Sequence, residues 1–164
     1  MLVSLLTSVN VILCRRSPTT GLCVVDHQQG ERNMTTPVLS PEWMQTYGEL
    51  WNNTEATRQG LKKLSMVIEY RLAEDESRAG QIQVVLGEVV RAGAPADGVK
   101  PEFVLTANTD TWQRLGLGEL PAAKAMVTRK VKFRGPMSVA MANLPSLEAA
   151  MKMMGQIDGT DWSV

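Results

Sequence analysis

The sequence predicts a single α+β domain in which helices cover one face of a five-stranded, mostly antiparallel sheet. Helix signals come first, and four consecutive segments with strand periodicity follow them. Further helix signals then surround a fifth alternating segment in the last third of the chain. The chain has 164 residues, of which 44% are hydrophobic, and this is enough for one domain with a substantial core.

Two short helices are predicted at the start of the domain. Ser40 can accept a hydrogen bond from a free N–H group, Pro41 suits the first helical position, and Glu42 complements the positive end of the helix dipole. The apolar residues that follow at helical spacing are Trp43, Tyr47, Leu50 and Trp51. The pair Asn52–Asn53 is expected to end this helix, and residues 54–60 predict a second one that stops at a glycine.

Four strands are predicted in the middle of the chain. Residues 66–72 and 82–86 alternate between apolar and polar side chains, so each segment turns one face toward a core. The acidic, glycine-ended link 73–80 predicts a hairpin loop between them. A third strand is expected near 87–91 and a fourth at 103–107. Because the links are short, we expect mostly antiparallel pairing.

The last third of the chain adds further helices. Thr109 can cap a helix that carries Trp112 and Leu115, and Pro121 suits the first turn of another helix that reaches Met126. After these, apolar residues recur at intervals of three and four, which is the spacing of one helix face. They are Met137, Met141 and Leu144, followed by Leu147, Met151 and Met154.

A fifth strand is predicted at residues 129–134 because the side chains alternate strictly between apolar and basic. Val131 and Phe133 then share the core face, and Gly135–Pro136 ends the strand. The opposite face carries the basic row Lys130, Lys132 and Arg134. A solvated face is the simpler interpretation of this row, and transient docking on an anionic membrane is the alternative.

The run Gly118–Met126 followed by Lys130–Met141 is similar to the C-terminal half of the sterol carrier protein type 2 domain family. The likeness predicts a domain at residues 39–155, with a tail at 156–164. Arg129 departs from it, since that family usually has a small residue there, often glycine. The resemblance implies a non-enzymatic lipid carrier with a hydrophobic cavity between the sheet and the methionine-rich helices.

The resemblance and the clustered methionines together predict the lining of this cavity. Unbranched thioether side chains repack around varied partners, although they also suit ordinary core packing. The predicted lining residues are Phe103, Leu105, Trp112, Leu115, Met126, Val131, Phe133, Met137, Ala140, Met141, Leu144, Met151 and Met154. We expect this interior to be hollow enough to admit a guest molecule.

The implied ligands are sterols, fatty acids or fatty acyl-CoA, and in a bacterium an acyl or isoprenoid lipid is favoured over a sterol. Two alternatives stay open. One is an accessory protein that presents an isoprenoid quinone precursor to biosynthetic enzymes. The other is a structural or interaction module whose cavity is filled by its own side chains.

Catalysis, metal binding and nucleic-acid binding are not favoured by the composition. The two cysteines, Cys14 and Cys23, and the one histidine, His27, all precede Met34, so the predicted domain lacks the usual nucleophile–base pairs and zinc ligands. The acidic run 74–76 lies in a predicted loop. With 17 basic and 17 acidic residues, no charge-driven partner is indicated. We therefore expect no cofactor and no metal.

Residues 1–33 are expected to be a translated leader outside the domain, with Met34 as the true start. The apolar run 2–13 is too short to span a bilayer and has no preceding basic residue, so it is a poor signal peptide. The codons for Gln29–Glu31 can include a purine-rich, ribosome-binding-like AAGGAG. A weak membrane anchor and a flexible tail are the alternatives. The expected location is the cytoplasm, and the expected source is bacterial.

Overall fold

The computed structural model describes residues 35–163, so residues 1–33 of the predicted leader lie outside the described part. The helices are α1 (Pro41–Asn53), α2 (Glu55–Gly60), α3 (Thr109–Gly116), α4 (Ala122–Val127), α5 (Met137–Ala142) and α6 (Leu144–Met153). The strands are β1 (Thr36–Pro37), β2 (Met66–Leu72), β3 (Ala79–Val85), β4 (Glu88–Gly93), β5 (Phe103–Ala107), β6 (Lys132–Arg134) and β7 (Thr160–Asp161). A 3-10 turn, Met154–Gln156, follows α6.

The main sheet has five strands in the order β4-β3-β2-β5-β6. Three of its four pairs are antiparallel, and the central pair β2–β5 is parallel. The prediction of a mostly antiparallel five-stranded sheet is therefore confirmed. The parallel pair arises because the chain leaves β4 at one edge and returns on the far side of β2, instead of continuing as a meander.

Helix α1 covers the β3–β4 half of the sheet with an aromatic stripe. The Ser40 hydroxyl accepts a hydrogen bond from the Trp43 backbone N–H at 3.2 Å, as the sequence predicts for this helix start. Trp43, Tyr47 and Trp51 are fully buried, and their neighbouring ring centroids lie 5.5 and 6.2 Å apart. Gly48 allows the close approach to the sheet, because a Cβ there would lie 3.0 Å from the Ala92 Cβ.

A second, two-stranded sheet joins the two ends of the described chain. β1 and β7 pair in parallel, with Thr36 opposite Thr160. The Trp43 indole N–H donates to the Thr160 hydroxyl at 3.0 Å. Ile157, just before β7, is buried in the core. Residues 156–161, within the predicted tail, are thus tied to β1 and α1.

Several element boundaries differ from the predictions. β3 begins at Ala79, inside the predicted loop 73–80, because the hairpin pairing with β2 extends to Arg71 opposite Ala79.

Two further boundaries differ, each for a local reason. The cap of α3 is Asn108, whose side chain accepts from the Thr111 N–H at 3.0 Å, so Thr109 is already the first helical residue. β6 begins at Lys132, three residues later than predicted, because Arg129 has a left-handed backbone with φ 57° and lies in a turn. Glycine adopts this conformation more readily than arginine does, because it has no Cβ.

Helix α1 also extends further than predicted, through Asn53. The Asn52 side chain completes the edge of β4: its Nδ2 donates to the Val89 carbonyl at 2.9 Å, and its Oδ1 accepts from the Val89 N–H at 2.8 Å. The amide therefore substitutes for one residue of a neighbouring strand. Asn53, the next residue, is exposed.

We expect Asn52→Ala to lower the free energy of unfolding by about 1–2 kcal/mol, since two hydrogen bonds to a partly buried backbone are lost. Asn53→Ala is the matched control, because it makes the same helix-propensity change at the same helix end. Its effect should stay within about 0.5 kcal/mol. Urea unfolding of the two variants measures both values. Equal effects would show that the Asn52 bridge does not stabilise the fold.

Candidate functional site

An apolar cavity lies between one face of the sheet and helices α4, α5 and α6. From the strands, its lining residues are Ile68, Tyr70, Phe103, Leu105 and Phe133. From the helices, they are Ala122, Met126, Ala140, Leu144, Leu147, Ala150 and Met151. Its free volume is ≈ 20 Å³, which is room for about one water molecule. The walls of the predicted cavity are present, but the volume expected for a guest molecule is not.

The strand side of the cavity follows from register. In the parallel pair, Ile68 lies opposite Phe103 and Tyr70 opposite Leu105, and in the next pair Leu105 lies opposite Phe133. Residues opposite each other in a sheet point to the same face, so one alternating set from three strands forms a continuous apolar wall. The rings of Phe103 and Phe133 pack with centroids 5.8 Å apart.

The structure brings seven of the thirteen predicted residues to this cavity. They are Phe103, Leu105, Met126, Phe133, Ala140, Leu144 and Met151. The other six lie elsewhere. Four of them are buried in the surrounding core: Trp112, Leu115, Val131 and Met154. Met137 and Met141 are on the surface, 48% and 53% exposed. A role in lipid binding stays a prediction for all thirteen.

The methionine pair on α5 is exposed because the helical seam is interrupted. The spacing of Met137, Met141 and Leu144 predicts one apolar face, but α5 ends at Ala142 and α6 starts at Leu144. Asn143 separates the two helices with φ −118° and ψ 18°, which is not a helical conformation. Leu144 therefore belongs to α6, and Ala140 is the only buried residue of α5.

Five lining residues were missed by the sequence analysis: Ile68, Tyr70, Ala122, Leu147 and Ala150. Ile68 and Tyr70 carry a usable signal, since they alternate on a strand in phase with other apolar residues. Leu147 precedes Met151 by one helical turn and could have been included on spacing. The two alanines carry no signal of their own, because a small residue lines a cavity only when its neighbours leave space beside it.

The only polar side chain in the lining is that of Tyr70, and it belongs to a buried hydroxyl pair. The Tyr47 and Tyr70 hydroxyl oxygens are 3.2 Å apart, and the Tyr47 hydroxyl donates to the Ala150 carbonyl at 3.0 Å. Burial raises the pKa of both phenols well above the usual value for tyrosine. Both are therefore neutral hydrogen-bonding groups at any physiological pH.

The basic row is exposed and does not line the cavity; Lys132 and Arg134 lie on β6, and Lys130 lies in the turn before it. Val131 is buried and Phe133 is half-buried, whereas Lys130, Lys132 and Arg134 are exposed, as the alternation predicts. Lys130 and Lys132, with Arg129, also border a shallow polar cleft of ≈ 270 Å³ beside the start of α3. Asp110 contributes a carboxylate to the same cleft.

Neither a metal centre nor a membrane span is found among the described residues. Within 35–163, no group of three or more His, Cys, Asp or Glu side chains is placed to hold a metal ion. In the same part of the chain, no helix combines the length and the apolar character needed to cross a bilayer.

A sheet whose apolar face is closed by short helices defines an α+β protein with an internal hydrophobic site. The model of the SCP-2 sterol transfer family matches residues 45–148, which is more than half of the chain. The protein therefore belongs to this family, as the resemblance over residues 118–141 predicts.

Solved structures share the fold. One is the crystal structure of a sterol carrier protein 2, with 18% identity, a TM-score of 0.65, and coverage of 73% of this chain and 98% of that chain. Another is the solution structure of a conserved hypothetical protein from Thermus thermophilus, with 18% identity, a TM-score of 0.59, and coverage of 71% and 89%. No curated protein matches the sequence significantly.

We expect Met151→Ala to lower the free energy of unfolding by about 2–5 kcal/mol, because Met151 is buried and its loss enlarges the cavity. Met137→Ala removes the same side chain from the surface and should change the value by less than about 0.5 kcal/mol. Urea unfolding compares them. Equal losses would contradict the assignment of Met151 to the interior and Met137 to the surface.

Proposed function

We propose that this protein is a non-enzymatic lipid carrier that holds a hydrophobic ligand between its sheet and helices α4, α5 and α6. The observation that carries the proposal is the composition of the cavity lining, in which eleven of the twelve residues have apolar side chains and one is Tyr70. Membership of the SCP-2 sterol transfer family supports it. A location in the cytoplasm and a bacterial source stay predictions from the sequence.

Ligand binding requires this cavity to expand. A free volume of ≈ 20 Å³ has room for about one water molecule, so side chains or a helix must move outward to admit an acyl chain. The driving force is adequate, since each buried methylene contributes roughly 0.8 kcal/mol and a long chain contributes on the order of 10 kcal/mol before association costs. Met126 and Met151, which are flexible and unbranched, can change rotamer at low cost.

Helix α5 is the wall most easily displaced. It has six residues, its start has no side-chain cap, and Ala140 is its single buried residue. A short helix with so little buried apolar surface is held weakly by the rest of the fold. Outward movement of α5 would open the cavity beside Phe133 and Leu144. We therefore assign α5 as the gate through which the ligand passes.

Native mass spectrometry of the gently purified full chain tests the carrier function. We expect an added mass from a co-purifying lipid, and we expect Ala140→Leu to reduce the lipid-bound fraction at least about tenfold by filling the cavity. Ala142→Leu makes the same change on the exposed side of α5 and should leave the lipid-bound fraction unchanged. A ligand-free wild type that also fails to take up added palmitate would overturn the proposal.

The interaction module is the second candidate, and the small free volume favours it. If side chains such as Phe133 and Met151 fill the interior permanently, the fold serves as a scaffold and takes up no lipid. The mass measurement separates this candidate from the carrier. The accessory role with an isoprenoid quinone precursor is a special case of the carrier. It predicts co-purification with enzymes that modify that precursor.

Transient contact with an anionic membrane is the second part of the proposal. Lys132 and Arg134 are exposed on β6, Lys130 is exposed in the turn before it, and the partly exposed Met137 and Met141 follow on α5. Cations near a membrane surface attract anionic lipids, and exposed apolar side chains can enter the interface. The surface next to the gate is therefore suited to receive lipid from a bilayer.

A charge-reversal pair tests this contact. Replacing Lys130, Lys132 and Arg134 by Glu should weaken binding to phosphatidylglycerol vesicles at low salt at least about tenfold, at roughly 1 kcal/mol per cation. Replacing Lys62, Lys63 and Lys100 by Glu changes the net charge equally at exposed positions elsewhere and should have a much smaller effect. Vesicle sedimentation measures both variants. Equal binding of the wild type and the first variant to these vesicles would contradict the proposed membrane contact.

A further inference from the structure

The polar cleft beside the start of α3 shares no lining residue with the apolar cavity. Its free volume is ≈ 270 Å³, which is room for several water molecules and hence for a small polar ligand. Thr106 and Lys132 line it and lie opposite each other in the β5–β6 pair. The neighbouring pair, Leu105 and Phe133, lines the apolar cavity. Because side chains alternate along a strand, Thr106 and Lys132 lie on the opposite face of the sheet.

Three cationic side chains border this cleft, and none of them has a carboxylate partner within the described chain. They are Arg129, Lys130 and Lys132, and all three are exposed. The ion pairs within residues 35–163 all use other cations. One carboxylate, that of Asp110, also lines the cleft, and it lies 3.9 Å from the Arg114 guanidinium. The lining therefore carries an excess of positive charge.

Arg129 has a backbone conformation that is unfavourable for a residue with a side chain. Its φ is 57°, in the left-handed region that glycine adopts more readily. The turn after α4 holds it there, since the Arg129 N–H donates to the Met126 carbonyl at 3.1 Å. The side chain is exposed, so no burial of apolar surface offsets the strain. A strained arginine whose guanidinium borders a cleft indicates a binding role.

The first turn of α3 contributes polar side chains to the cleft, while two of its backbone donors are already used. The Thr111 N–H donates to the Asn108 side chain at 3.0 Å, and the Thr109 N–H donates to the Glu74 carboxylate at 3.1 Å. Attraction of an anion to this cleft therefore depends on the basic side chains, and among them on Arg129 above all.

We propose that this cleft binds the phosphate group of a hydroxylated phosphate ester. The planar guanidinium of Arg129 can donate to two phosphate oxygens, and the two lysines act as point charges. The Asp110 carboxylate repels a bare phosphate ion but accepts hydrogen bonds from ligand hydroxyls. The proposal does not rest on the carrier function, because the two sites share no residue. A soluble sugar phosphate and the headgroup of phosphatidylglycerol both present this chemistry.

Isothermal titration calorimetry of the full chain with glucose 6-phosphate, at physiological ionic strength, tests the soluble source. The wild type should bind saturably, and Arg129→Gln should weaken binding at least about tenfold, because hydrogen bonds between charged groups are lost. Arg134→Gln is the matched control, since it removes the same charge from an exposed residue that does not line the cleft. Its affinity should stay within about threefold of the wild type, because salt screens separated surface charges.

Sedimentation with phosphatidylglycerol vesicles tests the headgroup source with the same two variants. A diffuse electrostatic contact with the membrane should weaken equally in Arg129→Gln and Arg134→Gln, because each variant removes one exposed charge. A headgroup seated in the cleft should instead make binding depend at least about tenfold more on Arg129 than on Arg134. The pair thereby separates this site from the membrane contact of the basic row.

Methyl phosphate tests the contribution of the ligand hydroxyls. It carries the same phosphate group as glucose 6-phosphate but has no hydroxyl group to donate to Asp110. The wild type should bind glucose 6-phosphate at least about fivefold more tightly than methyl phosphate, since hydrogen bonds to a charged acceptor are gained. Equal affinities would contradict the assignment of hydroxylated esters.

Arg129→Gly separates loss of the ligand contact from loss of folding. Glycine relieves the left-handed strain, so the midpoint of urea unfolding should equal or exceed that of the wild type. Binding of the phosphate probe should nevertheless fall at least about tenfold, as in Arg129→Gln. A lower midpoint together with unchanged binding would contradict the role given to this residue.

The two arms decide both the site and the source of its ligand. Arg129-dependent binding of glucose 6-phosphate supports the site with a soluble ligand, and Arg129-dependent binding of vesicles alone supports it with a lipid headgroup. Equal losses in Arg129→Gln and Arg134→Gln in both arms would overturn the site. Failure of the wild type to bind either probe would overturn it as well.

Discussion

The parallel pairing of β2 with β5 is the constraint on which the rest of the molecule depends. It places β5 and β6 on one side of β2 and leaves the β3–β4 half of the sheet to α1. Because of it, Ile68 and Tyr70 lie in register with Phe103 and Leu105. The cavity lies where these side chains meet the C-terminal helices, and Tyr70 also reaches the Tyr47 hydroxyl on α1.

The elements that local patterns define were predictable, and those set by long-range pairing were less so. The alternation of residues 66–72 and 103–107 located β2 and β5 to the residue, because each is half of an apolar core face. Nothing local indicates that β5 pairs in parallel with β2. The true start of β6 was missed because the alternation continues through Arg129, where the backbone turns to φ 57°.

The site divides in the same way. Phe103, Leu105 and Phe133 were found because strand periodicity assigns a face directly. Met137 and Met141 were assigned to the cavity on helical spacing shared with Leu144, but α5 ends before Leu144 and buries Ala140 instead of the methionines. Helical spacing shows which residues share a face, and only the connection to the next helix decides what that face meets. The hydroxyl pair could not be predicted, since Tyr47 and Tyr70 belong to different elements.

The protein belongs to the SCP-2 sterol transfer family, and the free volume of its cavity is ≈ 20 Å³. Dense packing stabilises the fold, and a ligand must replace the contacts that it separates. On the helix side, Met126 and Met151 are unbranched and flexible, while Tyr70, Phe103 and Leu105 lie on strands in the middle of the sheet. Such an arrangement confines movement to the helix side of the cavity.

The pairing of β1 with β7 has a consequence for the order of folding during synthesis. Thr36 and Thr160 can pair only after nearly the whole domain has left the ribosome. The hydrogen bond from the Trp43 indole N–H of α1 to Thr160 therefore also forms late. The nascent chain can form the β2–β3 hairpin early, because its contacts are local. Closure of the small terminal sheet would then be the final step, and the Trp43 indole N–H would lack its Thr160 acceptor until it occurs.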